Sequence, residues 1–119
     1  MCLDRITRTQ IGGKPRIAYK TIGREYDHTT KRRPKPVIGK TYTARKVKID
    51  MSWAGNYRKY YNTGFHAWAS IMAAKDWSID PLYKVKLFPP FTFGIIQHNH
   101  KVIIGHRMQI IKEIKRRDV

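Results

Sequence analysis

The residues best suited to chemistry in this chain are aromatic and basic side chains that alternate over positions 53–61. Rings stack on nucleic-acid bases while cations contact phosphates, and stacking contributes about 1–3 kcal/mol per base. The pattern therefore predicts a nucleic-acid surface, with core packing or self-association of the rings as the alternative. The members that we assign to this surface are Trp53, Tyr57, Arg58, Lys59 and Tyr60.

The net charge of the whole chain favours a polyanionic partner. The 119 residues contain 25 Lys+Arg and 8 Asp+Glu, a formal charge of +17. Because like charges repel in a compact state, this excess opposes folding, whereas releasing the counterions condensed on phosphates supplies affinity. For each basic cluster alone, a solvated loop or tail is the alternative. The predicted phosphate contacts are Lys31, Arg32, Arg33, Lys35, Arg45, Lys46, Lys48, Arg116 and Arg117.

Catalytic chemistry has little support in the sequence. The carboxylates are scattered, whereas a two-metal nuclease site needs them clustered. A single cysteine, Cys2, excludes an internal disulfide and a zinc site built on several cysteines. Whether His98, His100 and His106 converge in the fold stays open, and exposed turn histidines are the favoured interpretation. We predict no catalytic residue, no metal and no cofactor. The sequence favours a binding protein over an enzyme.

The elements that must position these residues are mostly strands. Alternating β-type residues predict them, and they are placed at 16–22, 40–49, 64–68, 83–88, 91–97 and 101–114. Ser70 is expected to cap a short helix over 71–77, and Asn99 tolerates the positive φ of a hairpin turn. Breaks are predicted at 80–81 and 89–90. The expected fold is an antiparallel-rich α+β domain with about six strands and one or two short helices.

Length and composition predict one domain over residues 1–119. Within it, residues 23–39 are expected to form a basic loop containing Pro and Gly, and residues 112–119 a basic C-terminal tail. The start of the chain lacks the apolar core of a secretory signal, and the apolar runs are far shorter than a membrane span. These features predict a cytoplasmic protein without a membrane partner, and they leave the oligomeric state open.

Short motifs resemble small accessory proteins of tailed phages and prophages. They are the Met1-Cys2-Leu3 start, the run at 64–68 (GFHAW) and the late strand over 102–110. This resemblance implies a viral accessory gene product that acts in the cytoplasm of the host cell. It brings no activity and no site with it.

A more distant resemblance is to the ADP-ribosyltransferase fold. Residues 19–23, 64–70 and 91–111 follow the order of that family's first strand, Gly-Phe strand and late hairpin. The family's catalytic glutamate precedes the late strand, where this chain has Asn99, His100 and Lys101. The resemblance therefore implies a nucleotide-shaped groove without transferase activity. The residues assigned to such a pocket are Arg16, Lys20, Tyr57 and Arg107.

Three functions are consistent with these observations. The leading one is a non-catalytic protein that binds nucleic acid or a nucleoprotein complex, with strongly salt-dependent affinity and little sequence preference. The first alternative is a protein that binds an acidic host protein, such as a defence or transcription component. That function requires an exposed apolar patch, expected at 88–93. The second alternative is a small-nucleotide binder of the degenerate transferase type.

Overall fold

The computed structural model describes Leu3 and residues 5–23, 36–44, 48–54, 57–62, 64–96 and 99–119. Residues 48–54 and 57–62 are described as backbone. The elements in chain order are β1 (Arg5–Gln10), β2 (Arg16–Thr21), β3 (Thr41–Thr43), β4 (Lys48–Ala54), β5 (Tyr57–Asn62), β6 (Phe65–Trp68), α1 (Ile71–Trp77), β7 (Leu82–Ile96), β8 (His100–Ile114) and a 3-10 helix (Arg116–Asp118).

A long antiparallel hairpin of β7 and β8 organises the fold. Each strand has 15 residues, and their pairing extends from Leu82 opposite Ile114 to Ile96 opposite His100. Along the other edge of β7, β2 pairs with its first half and β1 with its second half. Along the other edge of β8 lie β6 and β3. Because β2 also pairs with β6, the pairings β2–β7–β8–β6 close a ring of strands.

Side-chain alternation fills the inside of this ring. Val85 and Leu87 of β7 point into one core cluster with Ala18, Phe65 and Ile110, and all are buried. Lys84 and Lys86 alternate with them and are half-buried, so the other face of this strand is basic. A second cluster lies where α1 packs on the sheet, and its members are Leu3, Trp68, Ala73, Ala74, Leu82, Ile96, Val102 and Ile104.

The predicted strand break at the two prolines is wrong. The register on β8 shifts from Phe88 opposite Arg107 to Phe91 opposite Gly105, so Pro89 and Pro90 together face one residue. This is a β-bulge, a place where proline is tolerated because its missing N–H is not required for the ladder. The Pro89–Pro90 peptide bond is cis. β7 therefore continues through the prolines instead of ending before them.

The α+β fold class is also wrong. The described residues are mostly antiparallel sheet with one short α-helix, which makes the fold closer to an all-β domain. One reason is the bulge, which joins two expected strands into one. The other is that residues 48–62 contribute the two-stranded sheet β4–β5, where aromatic content alone did not indicate a hairpin. The single helix has seven residues, too few to form a layer.

Several local predictions are confirmed. The helix spans Ile71–Trp77, and the Ala73 amide donates to Ser70 Oγ (3.5 Å) as the N-cap. Asn99 has φ of 66° in the hairpin turn. The expected strand over 40–49 is divided between β3 and β4, and residues 45–47 between them lie outside the described part of the chain.

Of the two predicted basic segments, the structure describes the C-terminal one in full and the loop only in part. Most of the expected loop over 23–39, namely residues 24–35, lies outside the described residues. The expected tail over 112–119 is formed by the end of β8 and the 3-10 helix. The basic end of the chain is therefore regular structure up to residue 118.

Replacing Gly64 by alanine is expected to destabilise the fold by about 1–3 kcal/mol, as overpacking does. Gly64 precedes β6, and a methyl group there would overlap the backbone carbonyl oxygen of Gly105 on β8. Gly12→Ala is the control, because nothing lies within 4 Å of the added methyl, and its stability should stay within about 0.5 kcal/mol of the parent. Urea unfolding of both variants checks this, and equal stabilities would contradict the close approach of β6 to β8.

Candidate nucleic-acid interface

Two arginines lie over one phenylalanine ring on the side of β7 that pairs with β1 and β2. The guanidinium carbon of Arg8 is 4.3 Å from the centroid of the Phe93 ring, and that of Arg16 is 5.0 Å from it. β1 sets Arg8 directly opposite Phe93. The ring is held from beneath by the buried Phe91, whose centroid is 5.7 Å away. Both arginines are exposed, so the ring orders their guanidinium groups at the surface.

A second arginine–phenylalanine contact lies on the other side of the proline bulge. Phe88 and Arg107 are opposite each other in the β7–β8 register, and the guanidinium carbon lies 5.0 Å from the ring centroid. Arg107 is exposed and Phe88 is half-buried. We call these groups the two phenylalanine–arginine clusters. The first consists of Arg8, Arg16 and Phe93, and the second of Arg107 and Phe88.

Charge is distributed unevenly over the described side chains. The acids among them lie on α1, in the turn after it, at the end of β8 and in the 3-10 helix, and they are Asp76, Asp80, Glu113 and Asp118. The two phenylalanine–arginine clusters lie elsewhere, beside the exposed cations Arg5 on β1 and Lys14 before β2. The described side chains around the clusters are therefore cationic.

The aromatic–basic residues predicted to stack on bases form the β4–β5 hairpin. In its register Trp53 is opposite Arg58 and Ser52 is opposite Lys59, while Tyr57 and Tyr60 lie on the same strand as these two cations. β4 also contacts β1, the strand that carries Arg8. The fold thus brings β4 of this hairpin against β1, and Lys48 is the first residue of β4.

The predicted phosphate-binding residues are only partly described. Those outside the described residues are Lys31, Arg32, Arg33, Lys35, Arg45 and Lys46. At the C-terminal end, Arg117 is exposed, whereas Arg116 has protein partners. Its guanidinium donates to the carbonyl oxygens of Lys75 (2.9 Å), Ser78 and Asp80. Because these carbonyls end α1 and form the turn after it, Arg116 stabilises the end of the helix.

The residues assigned to a nucleotide pocket have separate environments. Lys20 is 8% exposed, points into the closed ring of strands and donates from Nζ to the His66 carbonyl oxygen (2.7 Å). Arg16 lies over Phe93 and Arg107 over Phe88, and Tyr57 is described only as part of the β5 backbone. The described structure does not gather these residues around one cavity.

The described histidines do not form a metal site, and the segment at 88–93 does not form an exposed apolar patch. His98 lies outside the described residues, and His100 packs edge-on against Trp68 with centroids 5.9 Å apart. The described residues contain no group of three potential metal ligands. At 88–93, Phe91 is buried and the other two phenylalanines lie beneath arginines. This segment therefore does not supply the exposed apolar surface that binding of an acidic host protein would require.

Sequence reasoning missed Arg8, Phe88 and Phe93 as interface residues. The signal that brings them together is the strand register, which depends on the bulge at the prolines. Comparison of the chain with protein-family models, curated proteins and solved structures found no match. Within the described part of the chain, no helix combines the length and apolar character needed to cross a membrane.

Replacing Arg116 by methionine is expected to cost about 1–3 kcal/mol of stability, because the carbonyls at the end of α1 lose a charged donor. Arg117→Met is the matched control: it removes the same charge from an exposed neighbour and should change stability by less than about 0.5 kcal/mol. Urea unfolding, followed by circular dichroism, measures both. Equal effects of the two substitutions would show that the carbonyl contacts of Arg116 do not stabilise the fold.

Proposed function

We propose that this chain is a non-catalytic, phage-type accessory protein that binds single-stranded nucleic acid, free or in a nucleoprotein complex, in the cytoplasm of the host cell. The observation that carries the proposal is the pair of phenylalanine–arginine clusters on the part of the described surface without acids. The overall charge of +17 supports it, because counterion release favours a phosphate-rich partner.

Arginines that lie over rings are well suited to this role. A guanidinium over a ring keeps its N–H donors available for phosphate oxygens, which it binds in a bidentate manner. Its second face remains available to stack on a base. Because Phe93 already orders Arg8 and Arg16, less side-chain entropy is lost when the ligand binds. The clusters therefore combine charge with a preorganised planar surface.

Single strands are favoured over duplexes because stacking needs accessible base faces. The β4–β5 hairpin, with Trp53, Tyr57 and Tyr60, lies beside β1. A strand that crosses β1 would meet the arginine–ring cluster and then the aromatic hairpin. Bases bound by stacking are distinguished weakly from one another, so low sequence preference is expected.

The test is the salt dependence of binding to single-stranded DNA and RNA and to a duplex of the same sequence, using protein freed of carried-over nucleic acid. We expect log affinity to fall linearly with log salt, and single strands to bind more tightly than the duplex. Arg8→Gln should lower the slope by about 0.7, the loss of one single-strand phosphate contact. Arg8→Lys should keep the slope but weaken binding, because lysine keeps the charge and loses the planar group.

Lys115→Gln, measured with strands that carry a 5′-hydroxyl, is the charge-matched control, since Lys115 is exposed near the acids at the end of the chain. It should change affinity less than Arg8→Gln does. Affinity that does not change between low and high salt would contradict the proposal. Equal effects of Lys115→Gln and Arg8→Gln would contradict the assignment of the phenylalanine–arginine clusters as the interface.

A further inference from the structure

A cleft of about 470 Å³ lies at the acid-containing end of the molecule, away from the phenylalanine–arginine clusters. Its floor is a row of residues in register across three strands: Tyr19 on β2 is opposite Lys84 on β7, which is opposite Lys112 on β8. Ile71 of α1 contributes to its wall. The remaining lining comes from the end of the chain and consists of Glu113, Ile114, Lys115, Arg117, Asp118 and Val119. The volume is typical of small-molecule sites.

The two lysines on the floor repel each other. Residues directly opposite in an antiparallel pair have Cβ atoms about 4.5–5.5 Å apart, and like charges there are destabilising. Lys84 is also half-buried, so water screens its charge less than at an open surface. This arrangement costs stability in the free protein, and an anion bound between the two lysines would remove that cost.

The acids in the cleft do not neutralise its cations. Lys84, Lys112, Lys115 and Arg117 outnumber Glu113 and Asp118 in the lining. Burial, followed by the charge of Glu113 and a hydrogen bond with it, raises the pKa of Tyr83. With Glu113 counted in full, the cation side chains of the lining still outnumber its acidic side chains.

We propose that this cleft binds a phosphate monoester, with the phosphate between Lys84 and Lys112 and the organic part against Tyr19, Ile71 and Ile114. Ammonium groups are strong point-charge partners for phosphate, and a half-buried tyrosine ring beside two isoleucines provides an apolar surface for a base or another ring. The phosphate is that of a free nucleoside monophosphate or of the 5′ end of a nucleic-acid strand. The inference does not rest on the proposed function, because it involves other residues and another ligand group.

Replacing either lysine is expected to raise the melting temperature of the free protein and to weaken ligand binding. Lys112→Gln should raise the melting temperature of the free protein by relieving the repulsion, and should weaken phosphate-monoester binding about tenfold or more. Lys84→Gln should behave in the same way. Lys86→Gln is the matched control, because Lys86 lies two residues further along β7 opposite Gln109 and outside the cleft.

The experiment measures melting temperature and calorimetric affinity of the full chain with adenosine 5′-monophosphate, adenosine, inorganic phosphate and sulfate at equal ionic strength. A ligand that binds the native state raises its melting temperature, so we expect the monophosphate to stabilise more than the other three. Short 5′-phosphorylated and 5′-hydroxyl strands distinguish the two sources of the phosphate. Strands of both kinds are expected to bind at the phenylalanine–arginine clusters. Greater stabilisation by the phosphorylated strand than by the hydroxyl strand, lost in Lys112→Gln, would therefore identify the strand end as the ligand.

Three results would overturn the inference. They are no stabilisation by either phosphorylated ligand, equal stabilisation by monophosphate and sulfate, and an unchanged response in Lys84→Gln and Lys112→Gln. Arg8→Gln separates this site from the nucleic-acid interface, because it should leave the response to adenosine 5′-monophosphate unchanged. A failure of salt-dependent strand binding would therefore not produce a failure here.

Discussion

The pairing of β7 with β8 is the interaction on which the other described strands of the six-stranded sheet depend. β1, β2, β3 and β6 each pair along one of these two strands, so each takes its register from the hairpin. Once that register is set, Tyr19 can meet Trp68 and the ring of strands closes. Short strands such as β3 and β6 would be marginal alone, and they are stabilised by the long edge that β8 offers them.

The bulge at Pro89 and Pro90 determines what this hairpin presents at its surface. Before the bulge, Leu87 faces the core and Phe88 faces outward beside Arg107. After it, Phe91 returns to the core and Phe93 lies at its edge beneath Arg8 and Arg16. A bulge bends the strand and redirects the side chains that follow. Both cation–ring clusters therefore flank the same bulge of β7.

Alternation and turn chemistry made part of this structure predictable. The strands at Arg16–Thr21 and Phe65–Trp68, the helix after Ser70 and the turn at Asn99 all follow from local patterns. The break predicted at 89–90 failed because two prolines indicate a strand end unless a partner strand supplies the bulge that accommodates them. The α+β class failed because a helix of seven residues is too short to form a layer. The arginine–ring contacts depend on pairing between distant residues, as in Arg8 opposite Phe93, which local patterns do not encode.

Arg116 and Arg8 show why a count of cations does not identify a binding site. Both belong to a strongly basic chain, and a cluster near the end of the sequence makes Arg116 the more conspicuous of the two. Its Nη1 and Nη2 atoms nevertheless donate to backbone carbonyls at the end of α1, so these two nitrogen atoms are already engaged within the fold. Arg8 lies over a ring, which accepts no strong hydrogen bond and leaves the donors available. The partner of each cation, rather than its place in a basic run, decides whether it remains available to a phosphate.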